Sequence, residues 1–129
     1  MRRKKVLIID DELDFCKLVK LNLELSGQFE AHIAVNGKQG LDLARKTKPD
    51  LIILDILMPG MDGFEVLEAL KKDSRMVQIP VIMLTAKSDD ASRISAAKLY
   101  SEEFIAKPIQ AQDLIAKINE VIKRGRIKA

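Results

Sequence analysis

Four short apolar runs, each closed by polar residues, constrain this chain more than any other feature. They read Val6-Leu7-Ile8-Ile9, Leu51-Ile52-Ile53-Leu54, Val81-Ile82-Met83-Leu84 and Phe104-Ile105-Ala106. They are too short for buried helices, and they alternate with longer segments of helical period. That alternation is the mark of a parallel α/β sheet. In such a sheet the carboxyl ends of the strands meet on one edge, where ligands bind. The residues delivered there are Asp10 and Asp11, Asp55, Thr85 and Lys107.

The helical segments fill the pattern in. A first helix is expected over about 13–26, with Asp11 or Asp14 near its start, Gly27 as its stop and Leu18, Leu21 and Leu25 sharing one face. A short strand near 30–35 follows, and Asn36-Gly37 opens a second helix to about Thr47, ahead of Pro49. Met58-Pro59-Gly60-Met61-Asp62-Gly63 reads as a loop. The third helix is expected over 64–72, the fourth over 89–99 and the fifth over 111–123. The fifth carries an apolar stripe of Leu114, Ile115, Ile118, Val121 and Ile122. Five strands and five helices result.

A length of 129 residues suits one domain with one core. The domain is expected over 1–123, with 124–129 a basic tail or the start of a linker, so that the chain is either a stand-alone unit or the first part of a longer protein. The net charge of +3 is concentrated at the ends: Arg2, Arg3, Lys4, Lys5, Lys123, Arg124, Arg126 and Lys128 are eight of the 22 basic residues. The remaining 14 face 19 acidic residues, and an acidic body argues against a nucleic-acid surface. Basic tails of this kind are usually solvated. A single cysteine, Cys16, excludes a disulfide framework and is expected as a small buried apolar side chain. His32 is expected to face solvent on an edge strand. No apolar run reaches the roughly 20 residues that span a membrane, and a cytoplasmic location is expected.

Three carboxylates on one sheet edge repel one another. At about 4 Å and an effective dielectric near 20, each like-charged pair costs on the order of 4 kcal/mol. Lys107 supplies one positive charge, and the hard, oxygen-rich donor set suits Mg²⁺. Taken singly, Asp10 or Asp11 could serve only to cap the first helix, but that leaves Asp55 unexplained.

Together these residues resemble a response-regulator receiver domain: Asp10-Asp11 after the first strand, Asp55 followed by Met58-Pro59 and Asp62-Gly63, Thr85-Ala86 after the fourth strand, and Lys107-Pro108 after the fifth. The resemblance covers nearly the whole chain. It implies the flavodoxin-like doubly wound sheet, strand order 2-1-3-4-5, and a phosphorylation-activated switch of a two-component system. It also implies that Asp55 is the phosphoacceptor, and that Asp10, Asp11, Asp55 and the backbone carbonyl of Leu57 hold Mg²⁺, with Mn²⁺ as a substitute. Lys107 would pair with a phosphoryl oxygen and, before phosphorylation, with Asp55. Thr85 would donate to another oxygen, and its movement would admit the ring of Phe104. The implied donor is a sensor histidine kinase or histidine phosphotransfer protein. The implied output is a downstream protein or fused domain on the face of the fourth helix, fifth strand and fifth helix, with a phosphorylation-dependent homodimer as a further partner. The resemblance also implies a cis Lys107–Pro108 peptide.

The sequence departs from the family pattern in Tyr100-Ser101-Glu102-Glu103-Phe104, where a glycine and an alanine often stand first and the aromatic is often a tyrosine. Leu57 and Lys87, two residues after Asp55 and Thr85, are expected to shield an acyl phosphate from water and prolong its life. Three other readings compete. A Mg²⁺-dependent aspartyl-nucleophile phosphatase resembling the haloacid dehalogenases would carry an acid where Leu57 stands. A flavodoxin would carry a Ser/Thr/Gly-rich phosphate loop where Asp10-Asp11-Glu12 stands. The third is a phosphorylation-independent interaction module.

Overall fold

The computed structural model describes residues 2–86 and 90–128, the last three as backbone only. Lys87, expected to shield the site, lies outside the described residues. The elements run β1 (Lys4–Ile9), α1 (Leu13–Leu25), β2 (Phe29–Ala34), α2 (Gly37–Thr47), β3 (Leu51–Asp55), α3 (Gly63–Lys72), β4 (Val81–Thr85), α4 (Ala91–Ala97), β5 (Glu103–Ala106) and α5 (Ala111–Lys128). All strand pairs are parallel and the order is β2-β1-β3-β4-β5, the flavodoxin-like arrangement.

Continuous apolar strands need cover on both faces, and strand periodicity divides them between two cores. Leu7, Ile9, Ile52, Leu54, Val81 and Met83 point to the side covered by α2, α3 and α4. Val6, Ile8, Leu51, Ile53, Ile82 and Leu84 point to the side covered by α1 and α5. Along α5, Leu114, Ile118 and Val121 are buried and Ile115 and Ile122 pack beside them, as the stripe predicts.

In α1 the face shared by Leu18, Leu21 and Leu25 is the outward one. Cys16, Val19 and Leu23 are fully buried, whereas Leu18, Leu21 and Leu25 are 53%, 55% and 75% exposed. Both triplets have the spacing i, i+3, i+7, so periodicity alone does not choose between them. Polar anchors fix the rotation: Lys20 Nζ donates to the Ala31 carbonyl at 2.6 Å, and Glu24 accepts from Ala31 N.

The helix ends obey local chemistry. Asn36 caps α2 by accepting from Gln39 N at 2.8 Å, and Lys48 leaves it with φ 49°. Asp62 and Glu65 form a reciprocal capping box on α3. The helix α4 is shorter than expected, because Asp90 caps it by accepting from Ser92 N and Arg93 N. The helix α5 is longer: it continues to Lys128, and Arg124 pairs with Glu103 at 3.0 Å instead of lying free in solvent. His32, half-buried on the edge strand β2, pairs with Glu30 at 2.6 Å.

Candidate functional site

The parallel register carries Asp10, Asp55, Thr85 and Lys107 to one edge. Asp55 is the last residue of β3 and Thr85 the last of β4, and Lys107 N donates to the Thr85 carbonyl at 2.7 Å, so these strand ends are locked together. The Lys107–Pro108 peptide is cis. Gly63 lies under the site: its N–H donates to the Ile56 carbonyl at 2.8 Å, and a Cβ there would lie 2.3 Å from the Asp55 carbonyl oxygen. Only glycine permits that approach.

Asp10 is fully buried and Asp55 nearly so, while Asp11 is exposed beside them. The three offer carboxylate oxygens that all lie within 4.8 Å of one another. Asp10 Oδ1 accepts from Glu12 N at 2.9 Å, which gives it part of the local structural role weighed above. Asp10 Oδ2 is buried, and among the described residues its one close cationic partner is the Lys107 ammonium, at 2.8 Å, which leaves the oxygen under-satisfied. A buried, under-satisfied carboxylate oxygen in an all-oxygen cluster fits a hard divalent cation. Loss of hydration pushes the Asp55 carboxyl up to about 7, with the Asp10 charge adding to the effect and Lys107 opposing it.

Lys107 pairs with Asp55, as the resemblance implies, but lies closer to two other acids. Its Nζ is 2.7 Å from Glu12, 2.8 Å from Asp10 and 3.4 Å from Asp55. Burial pulls its pKa down, but hydrogen bonds to Asp10 and Glu12 and the charges of Asp10 and Asp55 outweigh that and hold it above the ordinary lysine value. The Phe15 ring lies 5.2 Å from the ammonium. Thr85 is half-buried, and among the described residues its hydroxyl makes one long contact, 3.5 Å, to the Ile105 carbonyl. Phe104 is half-buried against the core that also contains Ala97 of α4. Leu57, two residues after Asp55, is 65% exposed.

Cys16 is buried beneath the acidic cluster, where its thiol donates to the Asp10 carbonyl at 3.3 Å. Burial and the Asp10 charge push that thiol up to about 12, which makes it inert. Glu12 escapes sequence reasoning, its one signal being its place directly after the acidic pair. So does Arg93, which pairs with Asp62 at 3.0 Å and lies 4.4 Å from the Phe64 ring, tying α4 to the start of α3.

Five parallel strands in this order, with an acidic cluster, a hydroxyl and a lysine at their carboxyl ends, define a receiver-type phosphoacceptor module. Comparison with known proteins agrees: residues 6–119 match the response regulator receiver domain, and the chain belongs to that family of phosphoacceptor switches of two-component systems. It is 38% identical over 122 residues to a probable transcriptional regulator, ycf27, of Guillardia theta, covering 95% of this chain and 46% of that protein. It is 34% identical over 126 residues to the alkaline phosphatase synthesis transcriptional regulatory protein PhoP of Bacillus subtilis, covering 98% and 51%. The chain thus spans about half the length of these curated relatives. Among solved structures, a receiver domain from Clostridium thermocellum superposes with a TM-score of 0.84 at 33% identity, covering 98% of this chain and 99% of that one. The chemotaxis protein CheY4 of Vibrio cholerae gives 0.83 at 28% identity, covering 93% and 99%. No helix among the described residues is long and apolar enough to cross a membrane.

Proposed function

We propose that Asp55 takes a phosphoryl group from the phosphohistidine of a sensor kinase or histidine phosphotransfer protein. The observation that carries this reading is a nearly buried carboxylate beside Asp10 and Lys107 at the end of β3, with Thr85 at the end of the next strand. An Asp55 oxygen forms a bond to phosphorus as the phosphorus–nitrogen bond breaks, and the electron pair returns to the imidazole. Lys107 then offsets charge on one phosphoryl oxygen, and the Thr85 hydroxyl gives up its long contact to donate to another.

Asp10, Asp11, Asp55 and the Leu57 carbonyl would hold Mg²⁺. When bound, this ion supplies charge neutralisation at the phosphoryl oxygens. Movement of Thr85 frees space for Phe104, and the change reaches partners through α4, β5 and α5. Catalysis by the chain is confined to its own phosphorylation and dephosphorylation, in the cytoplasm. The receiver body is read as 1–123, supported by Val121 and Ile122, which among the described side chains are the last that pack on the core.

The test is incubation with acetyl phosphate and Mg²⁺, followed by intact-mass measurement. A phosphoryl adduct on the native protein that is lost in Asp55→Asn is the expected result. No adduct from acetyl phosphate or from a phosphorylated kinase would refute the reading and favour an interaction module.

A further inference from the structure

Glu12 stands at the N-cap of α1, yet its side chain makes no capping hydrogen bond. Its carboxylate instead crosses to β5 and meets Lys107 Nζ at 2.7 Å. The ammonium is therefore shared unevenly: Glu12 and Asp10 sit at the short distances of strong charge-assisted hydrogen bonds, and Asp55, at 3.4 Å, has a longer and weaker contact. Asp10 is fixed, being fully buried with one oxygen committed to Glu12 N. Glu12 is free to let go, because its side chain is 63% exposed and water can take the place of Lys107.

We infer that Glu12 is a positioning residue that parks Lys107 away from Asp55 and competes with the phosphoryl group for it. This rests on the phosphoacceptor reading of Asp55. When a phosphoryl group adds negative charge at Asp55, Lys107 must leave Glu12 to serve it, and Glu12 turns to solvent. The Glu12–Lys107 contact exists only before phosphorylation, so it favours the resting state. Exposed ion pairs bias equilibria by a factor of up to about five.

The experiment measures binding of beryllofluoride with Mg²⁺, a phosphoryl mimic, to the native protein, Glu12→Gln and Asp14→Asn. Asp14 is an exposed acid in the same helical turn with no ion pair to Lys107, so it controls for loss of charge alone. Glu12→Gln is expected to bind about two- to fivefold more tightly and Asp14→Asn like the native protein. In the metal-free protein the Lys107 side-chain resonances should shift in Glu12→Gln and stay in Asp14→Asn. Equal affinities for Glu12→Gln and native protein, an equal gain in both variants, or unmoved Lys107 resonances would overturn the assignment. Failure of the native protein to bind the mimic or to form the acetyl phosphate adduct would overturn the phosphoacceptor reading instead.

Discussion

Asp55 should make the metal-free protein less stable as pH rises, and replacing it with asparagine should remove that cost. Burial first and the Asp10 charge second lift this carboxyl from 3.8 to about 7, so the folded protein holds the proton more tightly than the unfolded chain. Below the ordinary value of 3.8 both states are protonated and the site costs nothing. Between there and about 7 the unfolded chain ionises while the folded one resists, and stability falls with pH; above 7 the penalty is complete. At 1.36 kcal/mol per pH unit the full displacement corresponds to about 4 kcal/mol. Solvent entering beside the exposed Asp11 screens the repulsion, and about half, roughly 2 kcal/mol, is the expected effect. Urea unfolding of native protein and Asp55→Asn, in chelator at pH 5 and pH 8, measures it. The variant should be the more stable at pH 8, by about 2 kcal/mol, with a smaller gap at pH 5. A gap that does not change with pH, or a variant less stable at pH 8, would refute the reasoning. Added Mg²⁺ should narrow the gap at pH 8, because it stabilises the ionised carboxylates of the native protein.

Gly63→Ala places a Cβ against the backbone of Asp55 and Ile56 and should cost about 1–3 kcal/mol in unfolding measurements while slowing acetyl phosphate labelling; native stability and labelling would contradict the close approach. Leu23→Ala should lose about 2–5 kcal/mol and Leu25→Ala less than about 0.5, since only the first is buried. Similar losses from the two would mean that α1 is rotated from the orientation described. Leu57→Asn should shorten the lifetime of labelled phosphate severalfold by admitting water, and equal decay rates would remove Leu57 from that role.

The sheet was legible because short apolar runs and their alternation with helical segments leave few architectures that bury everything. The strand-end residues were legible for a related reason: in a parallel sheet, ending a strand fixes which edge a residue occupies, so Asp10, Asp55, Thr85 and Lys107 meet without any knowledge of side-chain direction. Helix ends followed where a cap was written in adjacent residues, as at Asn36 and Asp62. They were misjudged in α4, where the Asp90 cap sits beside a second acid, and in α5, where Arg124 finds Glu103 on another element.

By itself, then, the sequence determined the layers and the set of polar groups on one edge, because these depend on spacing along the chain, while the strand order was implied only by its family likeness. Tertiary structure alone decided which of two equal stripes of α1 faces inward and which of three carboxylates holds Lys107. Both choices turn on distances between residues far apart in sequence. Lys20 reaches a carbonyl of β2, and Glu12 reaches a lysine 95 positions away, and no local pattern encodes such meetings.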